Sequence, residues 1–355
     1  MTDTEIKAPT PPKSPKRSRR GYILLLVAVV VVVAGWSAAW AYGRSVLAEQ
    51  LDLQLDRMAG QGLELACADL SIAGYPFRYE VACREMRTAD RSGATGSLGG
   101  LDAVALIYNP RHAIFEAHSP ASLAVPLSGL AGEITWDTAR ASMKFGQDSL
   151  GALDAVIAKP EITLAGDVPD GLVSADKAEL HVREAPGTAG ILEGFVTVDS
   201  LSLAALPELS QAIMLRGHAR IDGGMGLLGG ADLISLVRAS GDGLPIDLVL
   251  GEAVLGTGRA TARGNLVLAG DGTISGALDL TLGNAGALVR ALKPLFSAQD
   301  RTYPLLEGVV NSLEPAATEI DGVRSITIPV TITNGLVQLG LLPVGRVPPL
   351  FQAGT

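Results

Sequence analysis

The sequence is poor in aromatic side chains, 4 % of 355 residues, and of its three tryptophans only Trp136 lies outside residues 36–40. Any core must therefore be built from Leu, Val, Ile and Ala. Positive charge is scarce too, once the N-terminus is set aside. The first twenty residues hold six of the 28 basic and two of the 37 acidic residues, so 22 bases face 35 acids beyond them, a net −13. A body with that balance repels phosphate backbones, which argues against nucleic-acid partners. It also disfavours docking on anionic headgroups unless a local basic patch overrides the total.

Signatures of chemistry are missing as well. There is no GxSxG, HExxH, P-loop or CxxC, and no carboxylate pair has a spacing that singles it out. The four histidines do not assemble a site on paper. His112, Glu116 and His118 share one face of a strand, but at about 3.3 Å per residue the two histidines stand about 20 Å apart, too far to share an ion. A solvated face is the better reading. His181, between Glu179 and Arg183, and His218, between Arg216 and Arg220, alternate with apolar residues and are expected on the surface. Gly224 to Gly229 matches GxGxxG, with Asp247 about twenty residues on. The strand before it, Leu215 to Ile221, carries alternating bases where a central parallel strand is apolar on both faces, so a glycine-rich loop is expected. No catalytic, cofactor or metal-binding residue is singled out.

What is present begins with Gly21 to Tyr42, an uncharged run that includes five consecutive valines, Val29 to Val33. Roughly 20 helical residues span a bilayer's hydrocarbon. The cluster Lys16 to Arg20 precedes the run and only Arg44 follows closely, so a cytoplasmic N-terminus is expected, with residues 43–355 exported. Trp36, Trp40 and Tyr42 suit the far interface and Tyr22 the near one. The alternative is a signal peptide cleaved after Ala41, at Ala39-Trp40-Ala41. The long basic leader and the length of the apolar run favour a retained anchor. Residues 1–20 then form a cytoplasmic basic tail and 21–42 the anchor. Residues 43–60 form a membrane-proximal amphipathic helix, with Leu47, Leu51, Leu55 and Met58 on one side.

The only cysteines, Cys67 and Cys83, fall on the exported side. Between them Gly74-Tyr75-Pro76 reads as a turn. A hairpin centred on Tyr75 would set the two cysteines face to face across the ladder, as a disulfide requires. A redox or metal thiol pair lacks a CxxC or a basic neighbourhood.

Beyond Gly62, period-two segments dominate. Ile326, Ile328, Val330 and Ile332 form one face of a strand whose Pro329 points to an edge or bulged position. Asn334-Gly335 turns this strand into Leu336 to Leu339, and Asp271-Gly272 joins two more. Further strands centre on Ile134/Trp136, Ile162/Leu164, Leu180/Val182 and Val196/Val198. Short helices are expected at 230–239, at 285–292 capped by Asn284, and at 303–313. The fold class is therefore mainly β, a β-rich α+β chain of large antiparallel sheets behind one transmembrane helix. The exported domain, 61–355, divides into two halves near 205 if it divides at all.

Four passages carry a resemblance when taken in order: Ala68 to Arg78 (with Gly74-Tyr75-Pro76-Phe77), Leu106 to His112, Ala260 to Leu280, and Asn334 to Leu350. Together they resemble the bacterial family called domain of unknown function 2125. The resemblance implies an N-terminal membrane segment and an envelope location, and brings no activity or catalytic residues. One anchor followed by long half-apolar sheets is also similar in plan to the AsmA-like lipid-handling proteins. The expectation is a non-enzymatic, single-pass inner-membrane protein with a periplasmic domain. It would bind lipid or an envelope protein partner, along strand faces that form either an acyl-chain groove or a closed core. A periplasmic hydrolase with convergent carboxylates, or a scaffold for envelope proteins, is the alternative.

Overall fold

The computed structural model describes residues 19–91, 93–125, 130–146, 149–166, 171–204, 211–296, 302–340 and 342–351. The leader up to residue 18 and the expected division near 205 lie outside them. The chain forms two compact units, residues 1–52 and 53–355.

A single helix, α1 (Arg19–Gln61), takes in both the apolar run and the amphipathic stretch. Its 43 residues measure about 65 Å at 1.5 Å each. It is long and apolar enough to cross a membrane. Leu47, Leu51 and Leu55 are half-buried and most of their polar neighbours exposed. The helix stops at Gly62, whose φ of +95° suits glycine. Arg91 donates to the carbonyl of Gly60 at 2.9 Å, satisfying one of the orphan acceptors of the last turn.

The strands then follow in order: β1 (Leu63–Ala68), β2 (Ser71–Ala73), β3 (Arg78–Cys83), β4 (Glu85–Asp90), β5 (Thr95–Leu106), β6 (Asn109–Val125), β7 (Leu130–Thr135), β8 (Thr138–Phe145), β9 (Leu150–Ala158), β10 (Glu161–Gly166), β11 (Gly171–Ser174), β12 (Lys177–Glu184), β13 (Leu192–Leu203) and β14 (Ile213–Ile221). Helices α2 (Met225–Leu228) and α3 (Leu233–Ala239) lead to β15 (Leu244–Leu255), β16 (Gly258–Leu268) and β17 (Ile274–Gly283). Helices α4 (Ala285–Leu292) and α5 (Thr302–Leu313) precede β18 (Thr318–Ile320), β19 (Val323–Thr333), β20 (Leu336–Leu339) and β21 (Leu342–Arg346).

All described strands join one antiparallel sheet. The long strands are shared: β5 pairs β3 over its second half and β4 over its first, and β6 pairs β8 and then β7. One branch runs β6–β8–β9–β12–β13 and the other β6–β7–β10–β11–β13. From β13 the ladder continues without a break through β14, β15, β16, β17 and β19.

The expected hairpin register is corrected by the structure. Ser71 pairs Ala82, not Tyr79, and Cys67 lies opposite Met86 of β4. The reason is Asp69, whose φ of +54° ends β1 after Ala68 and sends it to a different partner from β2. Cys67 and Cys83 are nevertheless disulfide-bonded, Cα atoms 5.8 Å apart. The bond ties β1 to β3 beside the place where β5 changes partners.

Pro329 is likewise not on an outer edge, since β19 pairs β17 on one side along residues 325–332. On its other side β18 covers 323–325 and β20 covers 330–333, and Pro329 falls in the gap between them. Its carbonyl accepts from Gly340 on that same side, so its missing N–H deprives no partner. Asn334 and Gly335 both take positive φ in the β19–β20 turn, as a two-residue hairpin demands. Asn284 precedes α4 but does not cap it; its amide donates to the carbonyl of Thr257 instead. Asp232 does cap α3, accepting from the amide of Ser235 at 2.8 Å.

Among the described residues, two buried clusters hold α3, α4 and α5 to the sheet. Ala285, Val289 and Val310 pack on Ile326 and Ile328 at one end of the strands. Val237 packs on Leu244 and Leu268 at the other end.

Candidate functional site

Because paired residues of a ladder point to the same face, register can be followed from strand to strand. Starting at Val81 it runs Ala103, Phe115, Ala141, Ala155, Leu180, Val196. It continues through Gly217, Gly251, Ala262 and Leu280 to Ile328. Twelve strands contribute, and every residue is apolar or glycine. At 4.8 Å between strands the row is about 50 Å long, measured along the sheet.

Its cover is uneven. Ile328 is buried beneath α4 and α5. Leu180 and Val196, in the middle, are 40 % and 44 % exposed. Leu180 and Val196 have the chemistry of core residues and the exposure of surface ones. A second apolar hollow, about 250 Å³, opens on the other branch between Leu123, Ile134, Ile162 and Leu164.

The neighbouring row, on the opposite face, is polar except at Val156: Asp102, Glu116, Arg140, Val156, Glu179, Thr197, Arg216, Glu252 and three threonines. Its charges bond to one another. Arg140 donates twice to Glu116 at 3.2 Å, and Arg216 and Arg259 flank the buried Glu252 at 3.5 and 3.4 Å. Lys177 and Thr197 both donate to Glu179, the lysine contact being the main cause that holds its carboxyl below the usual range.

One cluster on this face was not expected from the sequence. Glu193 is 2 % exposed, and its carboxylate meets Arg183, Arg220 and His218, each at 3.1 Å. Burial pushes its carboxyl up, but the hydrogen bonds from His218, Arg220 and Arg183 outweigh that and hold it below its ordinary value. A carboxylate so held does not serve as a proton donor; it cross-links β12, β13 and β14. His218 is therefore corrected from a surface position to a half-buried one, its ring stacked on Phe195 with centroids 3.9 Å apart. The signal available in sequence was the run Arg216, His218, Arg220, three cationic or protonatable groups on one strand face with no acid beside them.

The other histidines each have their own neighbour. His112 bonds to Ser142, His118 to Asp102 and His181 to Asp154, all at 2.8 Å and on separate strand pairs. The structure does not bring His112, Glu116 and His118 onto a common point. In the glycine-rich stretch, a Cβ on Gly224 would meet Leu192 and Ile221 at 2.8–2.9 Å, and one on Gly226 would meet Leu236 at 2.9 Å. Packing explains these glycines, and the helix they open has four residues.

No curated protein and no solved structure matches the chain. Residues 40–348 match the family described as "Uncharacterized protein conserved in bacteria (DUF2125)", and the chain belongs to that family.

Proposed function

We propose that this protein is held in the bacterial inner membrane by residues 21–42, with its sheet in the periplasm, and binds the hydrocarbon chains of lipids along its apolar face. The basic cluster Lys16 to Arg20, against a lone Arg44, supports a cytoplasmic N-terminus. A disulfide between the only two cysteines supports an oxidising compartment for the sheet. The observation that carries the binding reading is the exposure of Leu180 and Val196 in the middle of an apolar row whose C-terminal end is covered. Leaving such a surface in water costs about 25 cal/mol per Å², and an acyl chain laid across the strands would remove that cost. The glycines at 217 and 251 continue the row with little relief, which suits an unbranched chain better than a bulky ring.

The test is native mass spectrometry of the full chain after extraction in mild detergent. Lipid is expected to co-purify with the wild type and to fall by roughly fivefold or more in Leu180→Asp/Val196→Asp, a loss of about 1 kcal/mol in binding. Both side chains are exposed, so the fold should survive the change. Equal lipid on the two proteins, or none on the wild type, ends this reading.

A further inference from the structure

The two branches of the sheet meet along a seam at residues 136–137, 159–160 and 175–176, where three strand lines break and resume. Main-chain hydrogen bonds keep the lines joined there. The amide of Asp137 donates to the carbonyl of Ala158 at 3.0 Å, and that of Lys159 to Asp176 at 2.9 Å. The seam is therefore a break in the strands and not a division of the sheet.

The disulfide shows which faces correspond on either side of it. Cys83 lies two residues beyond Val81 in β3, so its side chain joins the face that runs to Leu180 and Val196. Cys67 is bonded to Cys83, and two bonded side chains cannot lie on opposite faces of one sheet. From Cys67 the register runs through Met86, Leu98, Ala121 and Ile134 to Ile162. Each of these is apolar and none is fully buried. The hollow between Leu123, Ile134, Ile162 and Leu164 thus opens on the same face as Leu180 and Val196, and Leu123 is 52 % exposed. The opposite face of these strands is polar, at Arg87, Ser97, Ser122 and Glu133. Neither buried cluster includes a residue of the hollow.

Length decides what can occupy both patches. From Ala155, the partner of Leu180, to Ile162 is seven residues, about 23 Å along the strand line. A bilayer's hydrocarbon is about 30 Å thick, so a chain of one leaflet spans about 15 Å. One such chain does not reach from patch to patch. Two chains joined between the patches cover both. The seam offers polar surroundings for such a joint, since Asp137, Lys159 and Asp176 are exposed there and the first two pair at 2.8 Å. Neither apolar row holds a charged residue, so hydrocarbon fits on both sides and a charged group on neither.

We infer that the ligand is a two-chain lipid whose chains part at the seam, one lying in the hollow at Leu123 and Ile162 and the other over Leu180 and Val196. This rests on the reading that the apolar face binds hydrocarbon, and names the class of lipid it takes. The full chain in mild detergent would be mixed with a two-chain phosphatidylglycerol, or with its one-chain lyso form, and weighed by native mass spectrometry. The wild type is expected to hold one two-chain molecule, and the lyso form about tenfold more weakly. Leu123→Asp should hold the two-chain lipid about tenfold more weakly and the lyso form as the wild type does, since the patch at Leu180 remains. Leu123 is half exposed, so the fold should survive, and an intact Cys67–Cys83 bond by non-reducing peptide mapping verifies it. On the unaltered protein, photoactivatable groups at the ends of both chains should mark peptides on both sides of the seam.

Marks confined to one side overturn the inference, as does a lyso form held as tightly as the two-chain lipid. So does two-chain lipid that is lost from Leu180→Asp/Val196→Asp but kept by Leu123→Asp, an outcome that leaves chain binding on the apolar face standing. No lipid on the wild type ends that reading as well, so the two failures are told apart.

Discussion

Glu193 is a single acid among three cationic or protonatable groups, and its burial ties its ionisation to the stability of the sheet. Its carboxyl is held below its ordinary value, so its contribution to stability is complete above about pH 4.5 and is lost as the pH falls through the folded-state value. Acid unfolding of the full chain in detergent, followed by circular dichroism, should therefore steepen below about pH 4.5. In Glu193→Gln that steepening should be reduced, with a loss at neutral pH of about 1–3 kcal/mol. The partners Arg183 and Arg220 are half exposed and rehydrate when the carboxylate is removed, which keeps the loss below that of a fully buried pair. An unchanged acid transition would show that the cluster does not couple to folding. Alternation placed His218 outward correctly as to face. What alternation cannot express is that an outward face is buried when long side chains from neighbouring strands close over it. Phe195 and the two arginines do that here.

At the scale of elements, most of the strands, turns and short helices were legible, because period two and the dipeptides Asn334-Gly335 and Asp271-Gly272 are local signals. Partner choice was not. The pairing of Cys67 with Cys83 was inferred from a hairpin register that the chain does not adopt; the β2–β3 hairpin is shifted, and the bond forms because β1 pairs β4 while β3 and β4 share β5. Pro329 misled in the same way, since a strand can be interior along its length and an edge at one residue. The disulfide closes a loop of sequence separation 16, so Cys67→Ser/Cys83→Ser is expected to cost about 3 kcal/mol in the chain-entropy model. Because β1 shares its ladder with β4 and not with β3, amide exchange should speed up first in β1, β2 and β4. Uniform acceleration across the sheet would place the role of the bond elsewhere.

For the whole molecule, the apolar face was predictable and its cover was not. Sequence shows which residues face one way, but the choice between a closed core and an open groove depends on where α2, α3, α4 and α5 come to rest. They cover the ends of the C-terminal strands and leave the middle of the row at Leu180 and Val196 exposed. Truncation should read this difference directly. Leu244→Ala, at a side chain with no exposed surface, is expected to cost 2–5 kcal/mol. Val196→Ala should cost under about 1 kcal/mol. Equal losses in chemical unfolding would mean that the middle of the row is covered in solution.

The register that carries the row from strand to strand has a consequence for how such a face changes in length. From β13 to β17 each strand pairs with the next in sequence, with α2 and α3 inserted between β14 and β15, so the face grows strand by strand from successive segments. An added hairpin would lengthen the apolar row by about 10 Å, two strand spacings, and would leave the short helices α4 and α5 and the long helix α1 untouched. Reach and chemistry are therefore separable properties of this chain, the first set by the number of hairpins and the second by which residues face inward along them.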